Sequence, residues 1–131
     1  MSNNPVELSL LVVDDSDDTR EMYAMYFESV GVRVTAAANG FSALHAVKHA
    51  RPDAVVMDLA MPGLTGWDVI RSLRADPATR SIPIVVVSGQ PERESALAAG
   101  AALFLLKPCL PHQLLAQIRQ LLDGAEEGTG A

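Results

Sequence analysis

Short, continuous apolar runs are the feature of this chain that most constrains its fold. Such runs predict strands at residues 8–13, 54–58, 82–87 and 102–106, and a further strand is predicted at residues 32–37. Runs of this length, bounded by turn-forming residues, predict buried strands. Because the apolar residues are continuous and do not alternate with polar ones, we expect both faces of each strand to be covered, as in a parallel sheet.

The segments between the runs have helical spacing. Helices are predicted to begin after the capping residues Ser16 and Asn39, and the later ones to cover residues 67–74, 92–99 and 110–122. Five apolar residues recur at helical spacing and predict the core face of the first helix, namely Met22, Tyr23, Tyr26, Phe27 and Val30. Alternating strands and helices joined by right-handed crossovers predict an α/β fold, a doubly wound five-stranded parallel sheet.

Polar side chains stand where the predicted strands end. Asp14 and Asp15 follow the first strand, Asp58 ends the third, and Ser88 and Lys107 follow the fourth and fifth. Ligands of such sheets bind at the carboxyl ends of the strands, so these residues predict one shared site. Clustered carboxylates repel one another unless a cation or protons compensate, and Mg²⁺ suits an all-oxygen site. We therefore expect Mg²⁺ and a phosphoryl group at this edge.

Composition excludes several other classes of protein. The 131 residues indicate one domain, and 49% hydrophobic against 20% charged residues indicates a globular chain. The net charge of −6 and the lack of a basic run argue against direct nucleic-acid binding. The single cysteine, Cys109, excludes an internal disulfide and a Cys-based zinc site. No apolar run is long enough for a signal peptide or a membrane span, so we expect a cytoplasmic protein without membrane contact.

Taken together, the motifs resemble the receiver domain of two-component response regulators. They are LVVDD at 11–15, VMDLAMPG at 56–63 with Gly66, VVSG at 86–89, AGA at 99–101 and KP at 107–108. The resemblance covers residues 8–122 and implies a flavodoxin-like (βα)5 sheet with strand order 2-1-3-4-5. The receiver domain is expected to cover residues 6–123. The composition of residues 124–131 predicts a flexible tail that fits either a natural end or a linker.

The resemblance assigns a role to each polar residue at the sheet edge. Asp58 is implied to be the phosphoacceptor, and Lys107 and Ser88 to contact the phosphoryl oxygens. Ser88 and Phe104 are implied to form the switch. The implied Mg²⁺ ligands are Asp14, Asp15, Asp58 and the backbone carbonyl of Ala60. The Lys107–Pro108 peptide bond is implied to be cis.

The family also implies partners. We expect phosphoryl transfer from a sensor histidine kinase or phosphotransfer protein, and binding of a downstream effector protein by the surface of the fourth helix, fifth strand and fifth helix. A homodimer through that surface is a further hypothesis, motivated by the very apolar fifth strand. Such a domain is a regulatory phosphoacceptor that promotes its own phosphotransfer and dephosphorylation, and not a classical enzyme. The spacing from Ser88 to Gly100 is shorter than the family implies by about one helical turn, so we expect the fourth helix to be short or irregular.

Alternative interpretations stay open at this stage. A haloacid-dehalogenase-type phosphatase would carry a second acid two positions after the nucleophile, where this chain has Ala60. A receiver fold used as a constitutive interaction domain would leave the acids unused. The pair His45 and His49 has a spacing that can bind metal, but without an evident third ligand a solvated or interfacial pair is the favoured interpretation. Cys109 is predicted to be packed.

Overall fold

The computed structural model describes the backbone of residues 7–130 and the side chains of residues 7–124. Strands and helices alternate throughout. In chain order the elements are β1 (Ser9–Val13), α1 (Asp17–Ser29), β2 (Arg33–Ala37), α2 (Gly40–Ala50), β3 (Ala54–Met57), α3 (Gly66–Ala75), β4 (Ile84–Ser88), α4 (Arg93–Ala99), β5 (Leu103–Leu106) and α5 (Pro111–Gly130). All strand pairs are parallel, in the order β2-β1-β3-β4-β5, which confirms the predicted fold and strand order.

The core lies on both faces of the sheet. Along β1, Leu11 and Val13 belong to one apolar cluster, whereas Leu10 and Val12 belong to the other. All four side chains are at most 1% exposed. Since successive side chains of a strand point to opposite faces, two covered faces require a continuous apolar run. The apolar runs of the sequence therefore have their physical explanation in this two-sided core.

The two predicted N-caps are confirmed. The Ser16 hydroxyl accepts a hydrogen bond from the Thr19 N–H at 3.2 Å, and the Asn39 side chain accepts one from the Ser42 N–H at 2.9 Å. Each bond satisfies one of the amide donors that a helix leaves free at its start. The short fourth helix is also confirmed, because α4 has only seven residues.

The core face of α1 is narrower than predicted. Tyr23 and Phe27 are buried, but Met22 is 44% and Val30 45% exposed, so these two are not core residues. A helix on one face of a sheet buries one stripe, and the ring pair Tyr23–Phe27, stacked with centroids 5.8 Å apart, already fills it. Met22 and Val30 lie to the sides of that stripe.

The last helix is longer than predicted. α5 continues through Gly130, whereas its predicted end was residue 122, so residues 124–130 of the predicted flexible tail are helical. Leu121 and Leu122 pack against the core and stabilise the helical turn just before residue 124. Alanine and glutamate, which follow Gly124, are strong helix formers. Ala131 lies outside the described residues, and the domain limits 6–123 stay a prediction.

Candidate functional site

Three carboxylates meet at the carboxyl edge of the sheet. Asp14, Asp15 and Asp58 each offer an oxygen, and these oxygens lie within 4.8 Å of one another. Asp14 and Asp58 are buried at 5% and 9% exposure, whereas Asp15 is exposed. The structure thus brings together the three acids that the strand ends predicted, two of them buried and one exposed.

Backbone hydrogen bonds fix the two buried acids. The Asp14 N–H donates to the Ala37 carbonyl and the Asp58 N–H to the Val13 carbonyl, both at 3.2 Å, so each acid prolongs the pairing of its strand. The side chains are also held, because the Ser16 N–H donates to Asp14 Oδ1 at 2.9 Å and the Ala60 N–H to Asp58 Oδ1 at 3.2 Å. These donors fix the orientation of both carboxyl groups.

Lys107 bridges the two buried acids. Its Nζ lies 2.9 Å from Asp58 Oδ2 and 3.3 Å from Asp14 Oδ2. Burial alone would lower the pKa of Lys107, but the hydrogen bond to Asp58 and the charges of Asp14 and Asp58 outweigh it and raise the pKa above its ordinary value. The lysine is therefore a fixed ammonium. Three carboxylates face this one cation, which leaves negative charge that a further cation would compensate.

The loop that carries Lys107 is anchored to its neighbours. The Lys107 N–H donates to the Ser88 carbonyl at 2.8 Å, and the Lys107–Pro108 peptide bond is cis, as the resemblance implied. The Tyr23 hydroxyl donates to the Cys109 carbonyl at 2.8 Å. Burial, followed by the nearby Cys109, raises the pKa of Tyr23 to about 12. Tyr23 is a positioning residue that sequence reasoning placed only in the core, because its partner is 86 positions away.

Ser88 ends β4 beside this loop and is 2% exposed. Its Oγ accepts a hydrogen bond from the Gln90 N–H at 3.2 Å. A hydroxyl has one hydrogen to donate besides its two acceptor positions. The hydrogen of Ser88 therefore stays available to a ligand oxygen, in keeping with its predicted place at the strand end.

Phe104 is buried at 2% exposure, and the guanidinium carbon of Arg93 lies 5.5 Å from the centre of its ring. Arg93 is the first residue of α4, so a cation–π contact connects that helix to the predicted switch residue. Nothing in the local sequence pattern indicates this contact, because it joins two elements.

The loop from β3 to α3 depends on close backbone approach. A Cβ added at Gly66 would lie 2.5 Å from the Asp58 carbonyl oxygen and 2.7 Å from the Cα of Leu59. The Gly66 N–H donates to the Leu59 carbonyl at 3.0 Å. Thr65 and Asp68 form a capping box at the start of α3, which fixes the end of this loop. Gly66 thus lets the chain fold back directly under Asp58.

Comparison with known proteins identifies the family. The model of the response regulator receiver domain matches residues 10–119. The chain belongs to this family. The DNA-binding response regulator MtrA of Mycolicibacterium smegmatis is 36% identical over 121 residues, which cover 90% of this chain and 52% of the relative. The response regulator PleD of Caulobacter vibrioides is 35% identical over 115 residues, covering 86% of this chain and 25% of PleD. The chain therefore spans about half the length of MtrA and a quarter of PleD.

Solved structures agree with this assignment. The chemotaxis response regulator CheY4 of Vibrio cholerae superposes with a TM-score of 0.82 at 28% identity, covering 88% of this chain and 99% of that one. The structure of a putative response regulator from Chloroflexus aurantiacus gives a TM-score of 0.83 at 31% identity, covering 89% of this chain and 98% of that one. In the described part of the chain, no helix combines the length and apolar character that crossing a membrane requires. Membership of the receiver family rules out the haloacid-dehalogenase-type phosphatase that was considered from the sequence.

Proposed function

We propose that this receiver domain accepts a phosphoryl group on Asp58 from a phosphohistidine of a sensor histidine kinase or phosphotransfer protein. The observation that carries the proposal is the setting of the Asp58 carboxylate, which is buried, hydrogen-bonded and held 2.9 Å from the Lys107 ammonium beside two further acids. An ionised carboxylate is a workable nucleophile for a covalent phosphoryl intermediate. The other acids supply the negative charge that a divalent cation needs.

The transfer is a substitution at phosphorus. A carboxylate oxygen of Asp58 attacks the phosphorus, the O–P bond forms, and the bond from phosphorus to the donor imidazole nitrogen breaks with its electron pair going to that nitrogen. Oδ1 is oriented by the Ala60 N–H and Oδ2 by the Lys107 ammonium. Both oxygens are therefore positioned before the donor arrives, which lowers the entropic cost of reaction.

The donor set fits Mg²⁺. Asp14, Asp15 and Asp58 offer only oxygen atoms, the ligands that hard divalent cations prefer, and the Ala60 backbone carbonyl would add another. When bound, Mg²⁺ would neutralise the charge between the anionic nucleophile and the anionic phosphoryl group. The Lys107 ammonium can pass from the Asp58 oxygen to a phosphoryl oxygen, and the free Ser88 hydrogen can be donated to another.

The signal would leave through α4, β5 and α5. Movement of Ser88 toward the phosphoryl group alters the end of β4, and with it the packing of Phe104 and of Arg93 above its ring. Leu97 and Leu106 are 42% and 51% exposed, so this surface offers apolar contacts to an effector or to a second copy of the chain. The homodimer hypothesis would be contradicted if sedimentation showed only monomers at high concentration, both with and without a phosphoryl analogue.

Intact-mass spectrometry tests the phosphoacceptor. The chain is incubated with acetyl phosphate and Mg²⁺, beside Asp58→Asn and the control Asp18→Asn, which alters an exposed acid on α1. We expect one added phosphoryl mass in the wild type and in the control, none in Asp58→Asn, and none after chelation of Mg²⁺. An absent adduct in the wild type would contradict the proposal and favour a constitutive interaction domain.

A further inference from the structure

A pair of exposed histidines on α2 has no part in the proposed phosphoryl transfer. His45 and His49 are four residues apart on one side of the helix, and both are exposed. Their rings are stacked, with centroids 4.1 Å apart and an angle of 27° between the planes. Side chains at this spacing are neighbours on a helix surface, and histidines at i and i+4 can hold one metal ion. Because stacked rings direct their nitrogens along nearly parallel planes, the exposed His45 ring must turn about its side-chain bonds before both residues can bind the same ion.

A hydrogen bond fixes which nitrogen of His49 is available. Its Nδ1 lies 2.9 Å from the backbone carbonyl oxygen of His45. A carbonyl oxygen only accepts, so Nδ1 carries the hydrogen and donates it. In the neutral ring, Nε2 then holds the free lone pair. Histidines that ligate metals generally have the second ring nitrogen bonded in this way, which orients the ring and strengthens the ligand.

We propose that His45 and His49 form a binding site for one divalent transition-metal ion of the Zn²⁺ class. Nε2 of His49 and a ring nitrogen of His45 are the protein ligands, and water completes the coordination. Imidazole suits Zn²⁺, Cu²⁺ and Ni²⁺, whereas carboxylates and water suit Mg²⁺. The chain would thus carry two cation sites of different preference, the imidazole pair on α2 and the carboxylate cluster at the sheet edge.

Water must supply the remaining ligands of the ion. Among the side chains that the structure describes, the only cluster of three or more candidate metal ligands is the one formed by Asp14, Asp15 and Asp58. A site with two protein ligands keeps open coordination positions, as exchangeable rather than structural metal sites do. We therefore expect one ion per chain, bound reversibly.

Calorimetric titration with Zn²⁺ tests the site. A large excess of Mg²⁺ is kept present to occupy the carboxylate cluster. The wild type is compared with His45→Gln, His49→Gln and the matched control His112→Gln, which removes the exposed histidine of α5. We expect one ion per chain, a loss of affinity of about tenfold or more in each of the first two variants, and unchanged affinity in the control.

Three outcomes would overturn the site: no Zn²⁺ binding, equal affinity in all four proteins, or half an ion per chain, which would mean a four-histidine site between two copies. Thermal unfolding gives a second readout, because an ion that binds only the folded pair raises the Tm. That increase should disappear in His45→Gln and His49→Gln. It should persist in Asp58→Asn, which separates this site from the phosphoacceptor.

Discussion

Helices α3 and α4 follow neighbouring strands that both end in site residues, but they are held very differently. α3 has ten residues and begins with the Thr65–Asp68 capping box. α4 has seven residues, and its N-cap Glu92 makes no side-chain capping hydrogen bond. An uncapped helix of two turns has little stability of its own. The two helices therefore represent a fixed and a weakly held side of the same site.

The two helices also differ in how many side chains they bury. α3 buries Val69, Ile70 and Leu73, whereas α4 buries only Ala96. Elements with few buried contacts open at lower free energy and supply the moving parts of switches. The comparison teaches that the loop after Asp58 leads into the firmly held helix, while the strand that ends at Ser88 leads into the weakly held one. The variants of the two loops, the two caps and Arg93 below should separate these two sides, and an alkaline titration tests the Lys107 loop beside them.

The largest effect is expected in the loop before α3. Gly66→Ala places a methyl group against the backbone of Asp58 and Leu59 and should lower the free energy of unfolding by about 3 kcal/mol. Gly89→Ala, in the loop before α4, is the control, because a Cβ there meets nothing within 4 Å. Urea unfolding measures both. Equal free energies of unfolding for Gly66→Ala and Gly89→Ala would contradict the proposed difference between the two loops.

Alkaline pH should test the anchor of the Lys107 loop. The pKa of Tyr23 is raised from about 10 to about 12, so the folded chain holds the phenolic proton more tightly than the unfolded chain. This stability is complete below pH 10 and is lost as pH rises toward 12. Between about pH 9 and about pH 11.5 the loss should reach about 2 kcal/mol. Tyr23→Phe should lack this loss.

Tyr26→Phe serves as the matched control for that experiment, since Tyr26 lies on the same helix and is only partly buried. Its unfolding free energy should fall with pH as the wild type's does. If Tyr23→Phe and the wild type showed the same slope, the Tyr23 phenol would not be the group that titrates.

Changing the N-cap residues should alter the stability of α3 and of α4 in opposite directions. Thr65→Ala removes the capping box and should destabilise α3 by about 1 kcal/mol. Glu92→Ser offers α4 a capping hydroxyl and should slow its amide exchange. Hydrogen exchange followed by mass spectrometry reports each helix separately. Faster exchange throughout the chain in Thr65→Ala would show that the α3 cap is not a local support.

The smallest effect is expected at the contact between α4 and Phe104. Arg93→Met keeps much of the side-chain length but removes the charge above the Phe104 ring, at a cost of about 0.5 kcal/mol. Amide exchange of α4 should rise slightly, and that of α3 should stay unchanged. Arg71→Met, on the exposed side of α3, is the control. If the amide exchange rates of α4 were identical in Arg93→Met and Arg71→Met, Arg93 would not stabilise this helix.

The sequence predicted the sheet well, because buried strands need continuous apolar runs and their ends place polar residues at one edge. It predicted helix faces less well. Met22 and Val30 have the correct spacing for the core, but spacing does not reveal how wide a stripe the sheet covers. The start of β4 was also set too early, since the Ile82 carbonyl accepts a hydrogen bond from Arg74 at 2.9 Å instead of extending the strand.

Contacts between distant elements account for what the sequence could not predict in the site. The motifs indicated Asp14, Asp58 and Lys107, because each directly follows a strand. They did not indicate the support of Tyr23 for the Lys107 loop or of Arg93 for Phe104. Both depend on which side chains the completed fold places side by side, and local pattern carries no such information.

The bridge from Lys107 to both Asp14 and Asp58 has a consequence for how this chain can evolve. Replacing the lysine leaves two buried carboxylates without their cation, which costs far more than losing an exposed ion pair. Replacing one acid first reduces that cost. The order of substitutions therefore matters: descendants in which this site is abandoned should lose an aspartate before they lose the lysine.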